Sequence, residues 1–514
     1  MAWIVLGEEN GKVKLVSKAR STEEIPGILP KGSYLTIEDN EAQSKFLLRV
    51  DESSQFEPFT PSPLIIEMGL SGLYADETCR NILTAYRVKN ISKRTDGKID
   101  FIRPRMVARR STQEEVNFAL GGHEEGPKVF VATIHGGENQ LLVDEEKRLI
   151  STKLPVDMFF HQMQITGKTG SGKTVAMKYL AQYFVEKMKG AVLAINVKDT
   201  DFLMMDRPTN TNNESIKKEW EDLDEQPHGI DNCVIYYPAN TQIHAFKNIS
   251  YEITQRITLN VKEIEPEALT GILQNITEIG AQNLPDIFRY WRDEKKGETF
   301  SEFVTYFTEA QDNPYFETLN SRGDKSGVML HKGTYNSIRR NLNSSLEFFD
   351  NQDANSLDFD DILSTGKMSI INVAGEKGIQ FGSILLRHLL KRIVQAKSEK
   401  RSDIPILIII DEVHQFYNTE SSREALGVLD TICRTGRSQE IGVIFSSQNP
   451  GDLPKGISNV VNSKIYFRSD GISGAHFKIS SDEVQSLKPG YALVNIHNIP
   501  QLKIIKFPLS LAGV

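Results

Sequence analysis

The sequence predicts an α/β fold built around a parallel sheet, preceded by an all-β, barrel-like module. Apolar runs such as Ala191–Val197 and Ile406–Ile410 are typical of strands buried on both faces of a parallel sheet. Short apolar runs separated by Gly/Pro turns fill the first part of the chain, and that spacing is typical of a small barrel. These patterns divide the chain into an all-β module over 1–150, an α/β core with a C-terminal tail over 151–244 and 351–514, and a helical insertion over 245–350.

Length and composition are those of an ordinary globular protein. The 514 residues correspond to about three domains. No run of about 18 apolar residues is present, and the N-terminus lacks a basic stretch followed by a long apolar one, so we expect neither a membrane segment nor a signal peptide. Three scattered cysteines, Cys79, Cys233 and Cys433, match no metal-binding spacing and indicate reduced thiols in a cytoplasmic protein. The net charge of −8 excludes an evenly basic surface but leaves room for a local basic patch.

The N-terminal module shows strand patterns and no cluster of catalytic residue types. We therefore interpret it as an assembly or docking module without chemistry of its own. Its predicted strands are Trp3–Leu6, Lys12–Val16, Tyr34–Ile37, Lys45–Val50, Leu64–Met68, Ala85–Val88, Ile99–Phe101, Met106–Ala108 and Val129–Ile134.

A complete phosphate-binding loop follows the short apolar run Met163–Ile165. It has the pattern G-x-x-x-x-G-K-T and precedes Val175–Phe184, which has helical spacing. Glycines let backbone amides turn inward, and these amides form an anion cradle together with the helix N-terminus. We predict that Lys173 reaches the β- and γ-phosphates of ATP and that the Thr174 hydroxyl binds Mg²⁺. The predicted nucleotide-binding residues are Gly167, Lys168, Thr169, Gly170, Ser171, Gly172, Lys173, Thr174 and Val175.

A second half-site is predicted where the apolar run Ile406–Ile410 ends in two carboxylates. Downstream of a phosphate loop, Asp411 is expected beside Mg²⁺ and Glu412 is expected to act as the general base on the attacking water. Together the two motifs predict a RecA-like P-loop NTPase core.

Further candidates lie around the predicted strand Ile441–Ser446. Gln448 follows that strand at the end where ligands collect in open α/β sheets, so it could sense the γ-phosphate. Arg434, at the end of the predicted helix Arg423–Arg434, and Arg437 precede the strand. Either arginine could enter a neighbouring subunit's site as an arginine finger or form a surface salt bridge, and the residues alone leave both interpretations open.

The insertion is predicted from helical spacing and carries a basic stretch. Its predicted helices are Pro266–Ile279, Asp286–Trp291, Phe300–Gln311 and Thr334–Leu346. Within 321–340, Arg322, Lys325, Lys332, Arg339 and Arg340 face one acid, Asp324. Such a run is usually a solvated face, and the alternative is a nucleic-acid contact. For that alternative, Gly323, Gly327 and Gly333 are expected to make parts of the stretch loop-like and mobile.

Other parts of the core are predicted from the same patterns. The apolar tail from Leu502 to Val514 is expected to dock on this subunit or the next. The remaining predicted elements are the strands Cys233–Tyr237, Met368–Val373, Ser463–Phe467 and Tyr491–Asn495 and the helix Gly382–Ala396.

Four segments in this order, HQMQITGKTGSGKT, LIIIDEVHQF, RTGRSQEIGVIFSSQNP and SLKPGYALV, resemble the HerA branch of the HerA/FtsK superfamily of hexameric DNA-pumping ATPases. The resemblance is specific over 155–200 and 365–514. It implies a homohexameric ring on double-stranded DNA, ATP sites between subunits, a partner nuclease of the NurA kind and a role in DNA-end processing for recombination. By position it supports Lys173, Thr174, Asp411, Glu412 and Gln448 as site residues, and it supports Arg437 as the arginine acting in trans.

The sequence departs from the family after the strand Ala191–Val197. Where the family often has a D-x-H-G-E-Y-like turn, this chain has Asn196–Val–Lys–Asp–Thr–Asp201, which puts an additional catalytic acid such as Asp199 in doubt. The leading hypothesis is an ATP-driven DNA translocase. A pump for conjugation or secretion is a second hypothesis, and a nucleotide-gated scaffold that activates a partner enzyme is a third.

Overall fold

The computed structural model of this chain describes residues 3–18, 28–40, 44–56, 80–91, 101–135, 137–198, 201–241, 250–273, 278–416, 429, 431–453, 455–470, 472 and 479–514. Several predictions of the sequence analysis lie outside these residues. They are the strand Leu64–Met68, Ile99 of the run Ile99–Phe101, Asp199, and most of the helix Arg423–Arg434.

The chain forms two compact units. The first comprises 1–156, 466–468 and 472–508, and the second comprises 157–465, 469–471 and 509–514. The first strands in chain order are β1 (Trp3–Glu9), β2 (Lys12–Lys18), β3 (Tyr34–Asp39), β4 (Ser44–Phe56), β5 (Arg80–Asn90), β6 (Val107–Arg110), β7 (Lys128–His135), β8 (Glu138–Leu141) and β9 (Ser151–Lys153). Then come β10 (Met163–Thr166), β11 (Ala191–Asn196), β12 (Cys233–Pro238), β13 (Thr254–Ile257), β14 (Tyr315–Leu319), β15 (Lys325–Met329), β16 (Met368–Asn372), β17 (Ile406–Ile410), β18 (Ile441–Ser447), β19 (Ser463–Tyr466), β20 (Tyr491–Asn495) and β21 (Ile504–Lys506).

The described helices are α1 (Gln113–Ala119), α2 (Lys173–Glu186), α3 (Glu214–Asp222), α4 (Glu278–Glu294), α5 (Phe300–Glu309), α6 (Lys332–Ser344), α7 (Phe359–Ile362), α8 (Glu376–Ser398), α9 (Lys455–Ser458) and α10 (Ser481–Gln485). Short 3₁₀ turns lie at Val156–His161, Tyr251–Ile253, Pro266–Ile272, Leu346–Phe348, Val413–Gln415, Gly436–Gln439 and Pro450–Asp452.

Six strands of the first unit close into a barrel in the order β1-β2-β5-β4-β3-β6, which confirms the predicted barrel. Alternate side chains point inward because of the strand pleat, so Val13 and Leu15 of β2 are fully buried. Strand β4 runs for 13 residues, and two register shifts against β5 allow it to bend around the barrel.

Helix α1 was not predicted, so the module is not purely β. Its sequence signal is local: the Thr112 side chain accepts a hydrogen bond from Glu115 N, and the Glu115 carboxylate accepts one from Thr112 N. This reciprocal capping box has the pattern T-x-x-E, which marks a helix start. Glu115 also pairs with Arg109 of β6, and this pair ties the helix to the barrel wall.

A second sheet of the first unit has the order β20-β21-β7-β8, with β9 also paired to β7. The predicted strand Val129–Ile134 therefore belongs to this sheet rather than to the barrel. Its core is formed by Ala132, Ile134, Ile479, Val484, Leu487, Tyr491, Leu493 and Ile504. Residues 472–508, which we assigned to the α/β core from sequence, group with the N-terminal residues because β21 pairs with β7.

The second unit is organised around a sheet of order β13-β12-β16-β11-β17-β18-β10-β19. Neighbours from β13 to β10 pair in parallel. Every residue of β11, β16, β17 and β18 is buried, which is why these segments read as unbroken apolar runs. The strand before the phosphate loop, β10, is separated by β18 from β17, the strand before Asp411.

The insertion is not wholly helical. Strand β13 extends the main sheet, and β14 and β15 form an antiparallel hairpin. The described part of the predicted helix Pro266–Ile279 is a 3₁₀ turn at Pro266–Ile272, followed by the start of α4. Aromatic side chains from α4, α5, α6 and the hairpin pack into one core that includes Phe288, Trp291, Phe303, Phe307, Phe316 and Tyr335.

The basic stretch is more ordered than the glycines indicated. Gly327 lies in β15 and Gly333 lies in α6, so of the three glycines only Gly323 lies in a turn. Asn320 Oδ1 fixes that turn by accepting hydrogen bonds from the amides of Arg322 and Asp324. The predicted loop-like character therefore applies to the turn around Gly323, whereas Gly327 and Gly333 lie in a strand and a helix.

The end of the C-terminal tail, residues 509–514, belongs to the second unit. Trp220 Nε1 donates to Leu509 O at 2.8 Å, and Pro208 and Ala512 form an antiparallel bridge. The buried Lys178 of α2 donates to Gly513 O at 2.6 Å. The tail thus covers the helix that follows the phosphate loop, on this subunit.

Candidate nucleotide-binding site

The phosphate loop connects β10 to α2 at the carboxyl edge of the sheet. Gly167 N donates to Ser447 O at 3.2 Å, and this bond anchors the start of the loop to the end of β18. Gly170 has φ 76° and Gly172 has φ 107°, a region that side chains with a Cβ rarely adopt. Helix α2 begins at Lys173, so its first amides face the loop.

Lys173 is buried at the centre of the site, with 4% of its surface exposed. Its ammonium donates to Ser447 O at 2.9 Å and lies 3.8 Å from Glu412 Oε1. Burial lowers the pKa of Lys173, although the charges of Glu412 and Asp411 act in the opposite direction. The lysine is therefore held in place before any phosphate contacts it.

Asp411 and Glu412 follow β17 at the same edge. Asp411 is fully buried, and its Oδ1 accepts from Ser446 Oγ at 2.8 Å and from Glu412 N at 3.0 Å. Burial raises the pKa of Asp411. Glu412 adopts φ 45°, which turns its side chain back over the site. Burial alone would raise the pKa of Glu412, but the ammonium groups of Lys173 and Lys198 hold it below its ordinary value.

The structure also brings Gln448 and Thr174 to this point. Gln448 Nε2 donates to Glu412 Oε1 at 3.3 Å, so the amide touches the predicted base. Thr174 Oγ1 donates to Asp201 Oδ2 at 3.4 Å. Lys168 is exposed and pairs with Asp470 at 2.7 Å. Thr169 and Gly170 are exposed on the outer turn of the loop, Ser171 is buried, and Val175 is half-buried in the first turn of α2.

Arg437 lies away from this site within the chain. It is exposed on the 3₁₀ turn Gly436–Gln439, just before β18, whereas the phosphate loop contacts Ser447 at the other end of that strand. Seven residues of strand at about 3.3 Å each separate the two ends by about 20 Å. A finger role for Arg437 therefore needs the site of a neighbouring chain.

Four site residues were missed from the sequence. Lys198 Nζ lies 3.0 Å from Glu412 Oε1, and Asp201 contacts Thr174. Ser446 and Ser447 hold Asp411 and Lys173. The missed signal was positional, because all four residues lie at or just after the carboxyl ends of parallel strands, where ligand-binding residues collect.

ATP and Mg²⁺ fit these residues. Among the described residues, the buried Ser171 Oγ, Asp411 Oδ2 and Glu412 Oε2 have no hydrogen-bond partner, and buried polar atoms ordinarily have one. The Thr174 hydroxyl and the Asp411 carboxylate are oxygen ligands of the kind that Mg²⁺ prefers. The backbone amides of the loop and the Lys173 ammonium are groups that bind phosphate. No three His, Cys, Asp or Glu side chains of the described chain could hold a metal ion by themselves.

Comparison with known proteins finds two family models that match parts of the chain. Residues 141–393 match the family model described as helicase HerA, central domain, and residues 355–508 match the zonular occludens toxin (Zot) model. The DNA double-strand break repair helicase HerA of Sulfurisphaera tokodaii is 26% identical over 171 residues. That match covers 30% of this chain and 34% of the relative, so the chain spans about a third of the length of that protein.

Solved structures that match this chain include VirB4 of Thermoanaerobacter pseudethanolicus, with a TM-score of 0.46 and 12% sequence identity. That match covers 75% of this chain and 97% of the VirB4 chain. The bacterial conjugative coupling protein TrwB gives a TM-score of 0.48 at 14% identity, with coverage of 81% and 95%. Within the described residues, no helix is long and apolar enough to cross a membrane. With a match to the HerA central-domain model that spans its phosphate loop, the chain is similar to the HerA/FtsK superfamily of P-loop ATPases.

Proposed function

We propose that this chain hydrolyses ATP at the site built by Lys173, Asp411 and Glu412 and uses the reaction to move double-stranded DNA. The observation that carries the proposal is the convergence on Glu412 Oε1, which lies 3.8 Å from Lys173 Nζ and 3.3 Å from Gln448 Nε2. A carboxylate held beside the phosphate-binding lysine and a polar sensor is the arrangement that phosphoryl transfer to water needs.

Each residue has a distinct task in this proposal. The loop amides and Lys173 bind the phosphates, and Thr174 and Asp411 hold Mg²⁺, which neutralises phosphate charge. Glu412 is ionised at neutral pH because its pKa lies below the ordinary value, so it can accept a proton from water. Gln448 contacts Glu412 and can report on the γ-phosphate to the strand β18 that also contacts the loop.

The similarity to HerA supports the DNA part of the proposal. The HerA relative is named a DNA double-strand break repair helicase. We extend this to a homohexameric ring on duplex DNA, a NurA-like nuclease as partner and a role in DNA-end processing. The position of Arg437 about 20 Å from this chain's own phosphate loop favours a ring, because the arginine then serves the next subunit.

The test is ATP turnover by the full chain with and without linear duplex DNA. A translocase is expected to hydrolyse ATP several-fold faster when duplex is added, and Glu412→Gln is expected to abolish both rates. Turnover that duplex DNA leaves unchanged would contradict the translocase and favour the nucleotide-gated scaffold. Negative-stain images with ATP and duplex check the ring directly.

A further inference from the structure

The ammonium of Lys198 lies among three carboxylates of the nucleotide site. Its Nζ is 3.0 Å from Glu412 Oε1, 3.7 Å from Asp201 Oδ2 and 3.9 Å from Asp411 Oδ2. These acids come from different segments, the ends of β11 and β17. A single lysine therefore lies beside Asp411, the carboxylate of the proposed Mg²⁺ site, and beside two further acids.

The side chain is aimed at this point by its backbone. Lys198 follows β11 by two residues, and Asn196 Nδ2 donates to Lys198 O at 2.6 Å. Asn196 itself is fixed by Asn372 at the end of the neighbouring strand β16. The lysine keeps 37% of its side chain exposed, whereas Asp411 and Glu412 keep at most 1%. Lys198 can therefore swing outward, and the carboxylates cannot follow it.

Lys198 and a divalent cation compete for the same oxygens. Asp411 Oδ2, the oxygen of Asp411 that pairs with Lys198, is one of the buried acceptors without a hydrogen bond among the described residues. Asp201 Oδ2 faces both Lys198 and the Thr174 hydroxyl. A cation bound by Thr174 and Asp411 would lie within a few ångströms of the ammonium, where two positive charges repel strongly in a partly buried site.

We propose that Lys198 is a built-in counter-cation that keeps free divalent metal out of the site and moves to the phosphates when nucleotide arrives. This rests on the proposed ATP site and adds to it a positioning residue that makes metal entry depend on nucleotide. Lys173 cannot take this part, because it is buried and its ammonium is held by Ser447 O. The two lysines then have different roles: Lys173 is fixed under the phosphate loop, and Lys198 can move beside the proposed Mg²⁺ site.

The test measures Mn²⁺ binding to the nucleotide-free full chain by electron paramagnetic resonance. Lys198→Met removes the charge and keeps the length of the side chain, so Mn²⁺ should bind roughly tenfold more tightly than to the wild type. Lys198→Arg keeps the charge and should bind Mn²⁺ like the wild type. Lys217→Met is the matched control, because Lys217 pairs with an exposed glutamate outside the site.

A second measurement separates this role from a merely structural salt bridge. Binding of a fluorescent ATP analogue in EDTA should weaken several-fold in Lys198→Met, because the phosphates lose the lysine. Equal or weaker Mn²⁺ binding by Lys198→Met would overturn the proposal, and so would unchanged analogue binding. If Lys198→Met does not fold, Lys198→Gln carries the same expectations. Neither binding measurement needs ATP hydrolysis. If the wild type lacks ATPase activity, the proposed function is contradicted, but Mn²⁺ binding still tests the role of Lys198.

Discussion

Lys173 Nζ lies 3.8 Å from Glu412 Oε1. Lys173 begins the helix after β10, whereas Glu412 follows β17, which is two strands away from β10 in the sheet. Strand β18 lies between them and supplies the Ser447 carbonyl that receives the lysine ammonium. The pair is buried, so each charge depends on the other and on few further groups.

Glu412→Gln should retain ATP binding and lose turnover. The amide keeps the shape of the side chain but cannot accept a proton, and loss of a general base commonly costs about 10²- to 10⁴-fold. Steady-state phosphate release checks the rate, and equilibrium binding of an ATP analogue checks the site. Glu440→Gln is the control, because Glu440 is exposed at the opposite end of β18. Wild-type turnover in Glu412→Gln would remove Glu412 from the mechanism.

Arg437→Ala should lose ATPase activity that a second variant can restore. If the arginine acts on the next subunit, mixing Arg437→Ala chains with Lys173→Ala chains creates some interfaces with one complete site. The mixture should therefore hydrolyse ATP faster than either variant alone. Arg437→Ala with normal activity would show that the finger lies elsewhere, and Arg434 would be tested next.

Replacing Arg322, Lys325 and Lys332 with alanine should weaken duplex binding equally for all sequences, because phosphate contacts carry no base information. All three side chains are exposed on the hairpin or the start of α6. The salt dependence of binding should become shallower, and basal ATPase activity should persist. Lys325 already pairs with Glu294 at 2.7 Å, so most of the effect is expected from the other two residues.

Fluorescence anisotropy at several salt concentrations measures the change. The control removes the same charge elsewhere, by replacing Lys217, Lys262 and Lys377, which each pair with an exposed glutamate. If both triple variants bind duplex like the wild type, the basic stretch is only a solvated face.

Gly442→Ala should destabilise the second unit by about 1–3 kcal/mol, the usual cost of overpacking a core. A Cβ on Gly442 would collide with the carbonyl oxygen of Phe159 and crowd Leu407 in the neighbouring strand. Chemical denaturation followed by circular dichroism measures the free energy of unfolding. Gly451→Ala, which meets nothing within 4 Å, should leave that free energy nearly unchanged. If the two variants have the same free energy of unfolding, the predicted destabilisation is wrong and the backbone at Phe159 can shift to accept the added Cβ.

The sequence by itself determined the phosphate loop and the two carboxylates after β17. Their signals are local, because a glycine pattern or a strand followed by two acids dictates its own backbone geometry. The N-terminal barrel was also predictable, since short apolar runs separated by Gly/Pro turns mark its strands. Even the unpredicted helix α1 carries its signal in Thr112 and Glu115.

Only the tertiary structure decided which residues meet. Lys198, Asp201 and Ser447 join the site because β11, β17 and β18 are neighbours in the sheet, and strand order is a long-range property that no short segment contains. The same order separates Arg437 from Lys173, since a parallel strand carries its two ends to opposite edges. Local sequence patterns show which residues are suited to the chemistry of the site. The distances between those residues are set by contacts between segments that lie far apart in the chain.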